Sequence, residues 1–263
     1  MARPVVALLS DFGFRDHYVG AMKGVVLNIC PEATLVDISH EIPAHDVLTA
    51  ALELAAAYRY FPTGSVFLVV VDPGVGSDRR GVAADAGDYR FVAPDNGVLT
   101  AVLGEQPPRR VVELTERRYA RPTVSRTFEG RDRFAPAAAW IAKGVQLSAL
   151  GRPLRDYRVL DIPAPDLADD RVVGQVLRID RFGNVVSNID RKAFESVAQR
   201  GSIQIEVGPH VIGRLVETYT EIGEDEVCAL FGGTEHLEFA ASSSSAVDRL
   251  GVERGAAVVV RQE

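Results

Sequence analysis

Asp72 and Arg79 are the residues whose types and spacing first point to chemistry. They bracket a glycine loop within "DPGVGSDRR" (72–80), which cuts off an apolar run. That run, Val66 to Val71, is continuous rather than alternating, the pattern of a strand covered on both faces in a parallel α/β sheet. Pro73 ends the ladder, and Gly74 and Gly76 permit backbone conformations that a β-carbon would forbid. Asp72 is therefore expected at the carboxyl end of a central strand, the edge at which open α/β sheets bind ligands. Arg79, seven residues on, can fold back to pair with it. A carboxylate capping its own turn, with Arg79 in solvent, accounts for the same letters equally well, because Asp and Gly are ordinary turn residues.

The elements that must position these residues follow from patterning. Strands are expected at 4–10, 34–38, 66–71, 89–93 and 109–114. Helices are expected over His17–Cys30, from Asp46 as N-cap to about Tyr60, and over Asp132–Lys143. Such alternation implies βαβ units and a largely parallel central sheet. The texture changes after "DIPAPDLADD" (161–170), a Pro/Asp-rich stretch that reads as a linker. Beyond it lie short strand-like pieces and one short helix near 191–199, as in a small antiparallel barrel or sandwich. The fold class expected is thus α/β, with an α/β N-terminal domain over 1–165 and a smaller β-barrel-like C-terminal domain over 171–263.

Composition narrows the partners. The chain has 263 residues, 47% hydrophobic and 25% charged, with a net charge of −7. That is the profile of a soluble globular protein. It argues against a broad nucleic-acid or anionic-membrane surface, which needs a basic patch. The arginine pairs 79–80, 109–110 and 117–118 are short and dispersed, and most are expected in solvent. Cys30 and Cys228 form no pair or zinc motif, read as buried small apolar side chains, and fit a reducing cytoplasm. The opening "MARPVVALLSDFG" is cut short by Asp11, too early for a secretory signal. No run approaches the roughly 18 apolar residues of a membrane helix.

Several motifs are absent. No G-x-G-x-x-G follows the first strand, and "GVGSDRR" lacks the Lys-Ser/Thr of a phosphate loop. "SDFG" (10–13) mimics the kinase magnesium motif without the other kinase signatures. "SHEIPAHD" (39–46) clusters His40, Glu41, His45 and Asp46 but matches no metal-ligand spacing on a helix, so a polar loop at the ligand edge is the reading.

Four loops and one later segment then stand out as an ordered set: "SDFGFRDHY", "SHEIPAHD", "DPGVGSDRR", "TFEGRDRFAP" and "IDRFGNVVSNI". Together they resemble the S-adenosyl-L-methionine hydroxide adenosyltransferases, relatives of the fluorinase and chlorinase. The resemblance implies hydrolysis of S-adenosyl-L-methionine to adenosine and methionine, with no metal or other cofactor. It also implies a homotrimer whose sites lie between the N-terminal domain of one subunit and the barrel of its neighbour. Carried over, Asp11 grips the ribose diol, Asp16 helps hold the substrate, and Phe128 lines the pocket. Asp180 and Asn184 match the pair reading the methionine end, although Asp, Gly and Asn equally favour a β-turn. The adenine edge is expected near Phe239 to Ser243. Asp72 and Arg79 match two members of an Asp–Arg–His set that positions the attacking water. The third position holds Glu129 instead of histidine.

The chemistry implied is in-line attack at ribose C5′, with the sulfonium sulfur taking the C–S pair and leaving as methionine. Water must lose its proton in or before the transition state, and in-line geometry must be imposed on it. Asp72 can take that proton, and Arg79 can orient Asp72 through its planar fork. Glu129, if it faces inward, makes a cluster of two carboxylates and one arginine in which one carboxyl is pushed upward. If it faces solvent, it pairs with Arg131 or Arg133. A halide transferase and a non-catalytic S-adenosylmethionine binder are the competing readings, and Asp72 argues against both.

Overall fold

The computed structural model describes residues 3–199 and 201–262. The chain divides into two compact units, Met1–Asp161 and Ile162–Glu263. In the first unit the strands are β1 (Val5–Ser10), β2 (Thr34–Ser39), β3 (Val66–Val70), β4 (Gly81–Ala86), β5 (Tyr89–Pro94), β6 (Pro108–Leu114) and β7 (Gly151–Pro153). They form one sheet in the order β2-β1-β3-β5-β4-β6-β7. The four strands β2, β1, β3 and β5 pair in parallel. β4 pairs antiparallel with both β5 and β6, and β7 antiparallel with β6. The largely parallel sheet expected from the sequence is present, with antiparallel pairs on one side of it. Most strands still point one way, with β4 and β7 reversed.

The continuous apolar run resolves into two faces. Val66, Leu68 and Val70 enter one core with Met22 and Val26 of α1 (Tyr18–Ile29). Phe67, Val69 and Val71 enter another with Ala50 and Leu54 of α2 (Val47–Ala57). Val102 of α3 (Thr100–Glu105) joins the second core, and Ala135, Ala137, Ala138 and Ala139 of α4 (Ala135–Ala142) join the first. Every residue of β3 is buried, and each large side chain so buried contributes about 1.5–3 kcal/mol. That two-sided burial fixes the strand whose end carries Asp72. Asp46 caps α2 by accepting from Thr49 N at 3.0 Å, which satisfies an otherwise orphaned helix donor.

The second unit comprises β8 (Asp166–Leu167), β9 (Arg171–Ile179), β10 (Val185–Asp190), β11 (Ile203–Val207), β12 (His210–Ile212), β13 (Val227–Phe231), β14 (His236–Ala241) and β15 (Ala257–Gln262). Two helices, α5 (Arg191–Ala198) and α6 (Ala246–Leu250), accompany them. The sheet runs β12-β11-β15-β9-β10-β14-β13, with β8 against β9. Its named pairs are antiparallel. The chain leaving β12 closes the gap to β13. Ala229 N donates to Arg214 O and Val216 N donates to Ala229 O, both at 2.9 Å. The result is a nearly closed barrel, which removes the open edges a sheet would otherwise expose. Within the Pro/Asp-rich stretch, Asp166 and Leu167 pair with Val173 and Val172, so this part is ordered strand rather than free linker.

Candidate active site

Asp72 follows the last buried residue of the β3 run, Val71. Asn96 supports that strand end, its side-chain amide donating to Val71 O at 2.8 Å. Gly76 needs its lack of a side chain: φ is +80°, and a β-carbon would lie 2.6 Å from Arg126 O. Gly74 has no such constraint. The loop returns Arg79 to Asp72, with Nη2 donating to Asp72 Oδ2 at 2.5 Å. The same nitrogen donates to Glu129 Oε2 at 2.7 Å, and Nη1 donates to Arg80 O at 2.9 Å. The guanidinium lies over the Phe134 ring, 5.2 Å from its centroid. All three side chains are removed from water, with relative exposures of 6% for Asp72, 6% for Arg79 and 10% for Glu129.

Glu129 points inward because of the turn that follows it. Gly130–Phe134 forms a π-turn leading into α4, a distortion frequent at functional sites. Of the arginines expected to draw Glu129 to solvent, Arg131 bonds Asp132 instead, through Nε at 2.7 Å and Nη2 at 2.8 Å. Arg133 lies 3.7 Å from the second Glu129 oxygen. Burial pushes the Asp72 carboxyl above its ordinary value; Arg79 opposes the rise and the Glu129 charge adds to it. Asp72 Oδ1 is buried without a hydrogen-bond partner among the described residues, as is Arg79 Nε. The cluster thus presents one free carboxylate oxygen beside a guanidinium fixed by two carboxylates.

Asp11 follows β1, and its Oδ2 accepts from His45 N at 2.9 Å. Asp16 is exposed on the same loop. Phe128 is buried against the rings of Phe12 and Tyr18, with centroids at 5.9 and 5.2 Å. Arg131 covers Phe128 at 4.9 Å. Among the described residues no group of three or more His, Cys, Asp or Glu is placed to hold a metal ion.

In the second unit, "IDRFGN" forms a tight turn organised by Asp180. Its Oδ1 accepts from Phe182 N at 2.8 Å and Asn184 N at 2.9 Å, and its Oδ2 accepts from Asn184 Nδ2 at 3.1 Å. Gly183 has φ +83°, and a β-carbon there would strike Ser245. The turn displays Phe182, 77% exposed, at a cleft shared by Asp180, Asn184, Tyr219, Ala241 and Ser243 to Ser245. Tyr219 donates its hydroxyl to the buried Glu238 at 2.5 Å. Burial raises the Glu238 carboxyl, the Tyr219 hydrogen bond opposes this, and the Asp180 charge adds to the rise. In the segment expected to meet adenine, Phe239 and Ala240 are fully buried, so the cleft wall is Ala241 and the serines after it.

Two family models match the chain. One describes the SAM hydroxide adenosyltransferase N-terminal domain and covers residues 6–151. The other describes the C-terminal domain and covers residues 174–259. This chain belongs to the SAM hydroxide adenosyltransferase family. Among similar proteins, one from Salinispora tropica named (R)-S-adenosyl-L-methionine hydrolase is 36% identical over 257 residues, covering 96% of this chain and 95% of that one. A protein of the same name from Thermus thermophilus is 36% identical over 261 residues, covering 96% and 97%. A fluorinase from Nocardia brasiliensis is 32% identical over 222 residues, 74% of each chain. The crystal structure of an uncharacterized conserved protein from Thermotoga maritima superposes with a TM-score of 0.92 at 34% identity, covering 98% of this chain and all of that one.

For a SAM hydroxide adenosyltransferase, the sequence left several supporting residues unnoticed. Asn96 supports the strand end before Asp72. Asp132 ties the loop before the π-turn together, accepting from Ser125 N at 2.8 Å. Phe182 and Tyr219 stand in the barrel's cleft. An aromatic residue placed between Asp180 and Gly183, inside a turn motif, was the available signal for Phe182. Nothing local marked Tyr219, whose partner Glu238 comes from a distant strand.

Proposed function

We propose that this chain hydrolyses S-adenosyl-L-methionine to adenosine and L-methionine. Water attacks ribose C5′; its oxygen forms the new C–O bond while the C–S pair leaves with methionine, neutralising the sulfonium. The observation that carries this reading is the buried, unpartnered Asp72 Oδ1 beside Arg79. A water held there has its proton facing a carboxylate whose pKa is raised, hence a better base near neutral pH than an ordinary one. Arg79 fixes the angle of Asp72 and balances the two carboxylates. Glu129 occupies the family's histidine position and acts on Asp72 across the shared Arg79 nitrogen.

Asp11 receives the ribose diol, since a carboxylate can accept from both hydroxyls. Asp16 and Phe128 complete that side. Asp180 retains lone pairs beyond those used in its turn and takes the substrate ammonium. Asn184 keeps a second amide hydrogen for the carboxylate. The exposed Phe182 ring and the serines offer a flat face and polar atoms for the rest of the ligand. With the reaction goes a homotrimer, in which the first unit of one subunit faces the barrel of the next. A cytoplasmic location accords with two free cysteines. No helix among the described residues is long and apolar enough to cross a membrane.

Two carboxylates around the nucleophile position disfavour chloride or fluoride by direct repulsion, which speaks against halide transfer. Product analysis separates the readings. Purified protein incubated with S-adenosyl-L-methionine and excess chloride should release adenosine and methionine. A 5′-halo-adenosine would make the chain a halide transferase. Unchanged ligand that still raises the melting temperature would make it a binder.

A further inference from the structure

Beyond the His45 N–H that meets Asp11, the "SHEIPAHD" loop has no part in the reaction as described, yet its first histidine is fully enclosed beside the site. Ser10 and His40 are both fully buried. His40 Nε2 lies 3.1 Å from Asp37 Oδ1, and Asp37 Oδ2 accepts from Lys23 at 2.6 Å. A carboxylate can only accept here, so His40 carries its proton on Nε2 and offers Nδ1 as acceptor. Ser10 Oγ, 2.6 Å from Nδ1, must then donate to it. Its oxygen lone pairs face Phe12 N, which donates at 3.3 Å. The chain of donors therefore runs one way, from the backbone at Phe12 through Ser10 and His40 to the Asp37–Lys23 ion pair.

The buried Ser10 cannot meet a substrate, so this Ser–His–Asp line is not a nucleophile triad. What it does is join two loops. His40 also accepts from Gly13 N through its backbone carbonyl at 2.7 Å. The loop after β1 is thus pinned on both sides of Asp11, at Ser10 and at Phe12–Gly13. The other loop supplies the His45 N–H that fixes the Asp11 carboxylate. His45 has φ +68°, a costly conformation that persists only where the surroundings impose it. Phe14 closes the assembly edge-on to the imidazole, with centroids 5.0 Å apart.

We infer that His40 is a positioning residue for the ribose grip: by latching the 39–46 loop to the 10–13 loop through Ser10, it sets the direction in which the free oxygen of Asp11 meets the substrate diol. Burial keeps the imidazole neutral against the pull of Asp37, which preserves Nδ1 as an acceptor. The inference rests on the reading of Asp11 as the ribose acid.

The test is the preference of the full-length protein for adenosine over 2′-deoxyadenosine, measured by calorimetric titration of each nucleoside and, separately, of methionine. Asp11→Asn should collapse the preference. Ser10→Ala removes the link with little change of volume. It should reduce the preference by about tenfold or more, the worth of a charge-assisted hydrogen bond, while methionine binding stays unchanged. His40→Asn, which keeps an acceptor near the Nδ1 position, should retain more of the preference than His40→Ala. Should His40→Ala fail to fold, Ser10→Ala alone decides. A collapsed preference in Asp11→Asn with an intact one in Ser10→Ala would overturn the latch. An intact preference in Asp11→Asn would remove the ribose assignment, and the latch with it.

Discussion

Arg79 shares one nitrogen between two carboxylates, and that sharing sets what each substitution should do. In the proposed reaction Asp72 must be ionised to accept a proton from water. Its carboxyl is raised by burial and, in the same direction, by the charge of Glu129. The acidic limb of the pH–rate profile should therefore lie above the ordinary carboxylate range. Glu129→Gln takes away one upward push, so the limb should move to lower pH, with kcat kept within about tenfold. A loss of roughly 10²-fold or more, the usual worth of a proton-transfer group, would make Glu129 itself the acceptor. Asp72→Asn should cost about 10²–10⁴-fold in kcat, because the amide keeps the shape but cannot take the proton. Arg79→Lys should approach that loss, since a point ammonium on a differently shaped stem cannot hold Asp72 and Glu129 through one nitrogen while a second, in the same fixed plane, donates to Arg80 O. The spacing of Asp72 and Arg79 made their pairing readable in the sequence. The direction of Glu129 was not readable, because it depends on a π-turn and on Arg131 being drawn away by Asp132.

The loops that hold these residues depend on elements of unequal legibility. β3 announced itself, as an unbroken apolar run has few other places to go. β4 did not, although its signal was present. Ala86 pairs with Tyr89 across Gly87 and Asp88, a two-residue hairpin with glycine leading. That hairpin adds an antiparallel strand to the otherwise largely parallel sheet. The Asp72 loop carries a sharper test. Gly76 is held at φ +80° against Arg126 O, and Arg126 Nη2 donates back to Gly76 O at 3.0 Å. This contact joins the Asp72 loop to the segment bearing Glu129. Gly76→Ala should cost about 1–3 kcal/mol in urea titration and lower kcat with it. Gly74→Ala meets ordinary contacts at 3.5–3.7 Å and should stay within about 0.5 kcal/mol. Equal effects at the two glycines would show that backbone strain at Gly76 does not shape the loop.

At the scale of the molecule, the change from βαβ alternation to short strands made the two architectures visible, because the two periodicities differ along the chain. Barrel closure was hidden, since it depends on Arg214 to Val216 meeting Ala229. The cleft was also hidden, because a serine run carries no local sign of what it faces. The proposed trimer predicts complementation: Asp11→Ala and Asn184→Ala chains, inactive apart, should recover activity when co-assembled, as some interfaces regain both residues. No recovery in verified mixed trimers would argue for sites within one subunit. The central claim is that a water molecule becomes the 5′-hydroxyl of adenosine, and turnover in ¹⁸O-water tests it most directly. Mass spectrometry should find the label in adenosine and none in methionine; confirmed turnover with adenosine unlabelled would contradict attack of water at C5′.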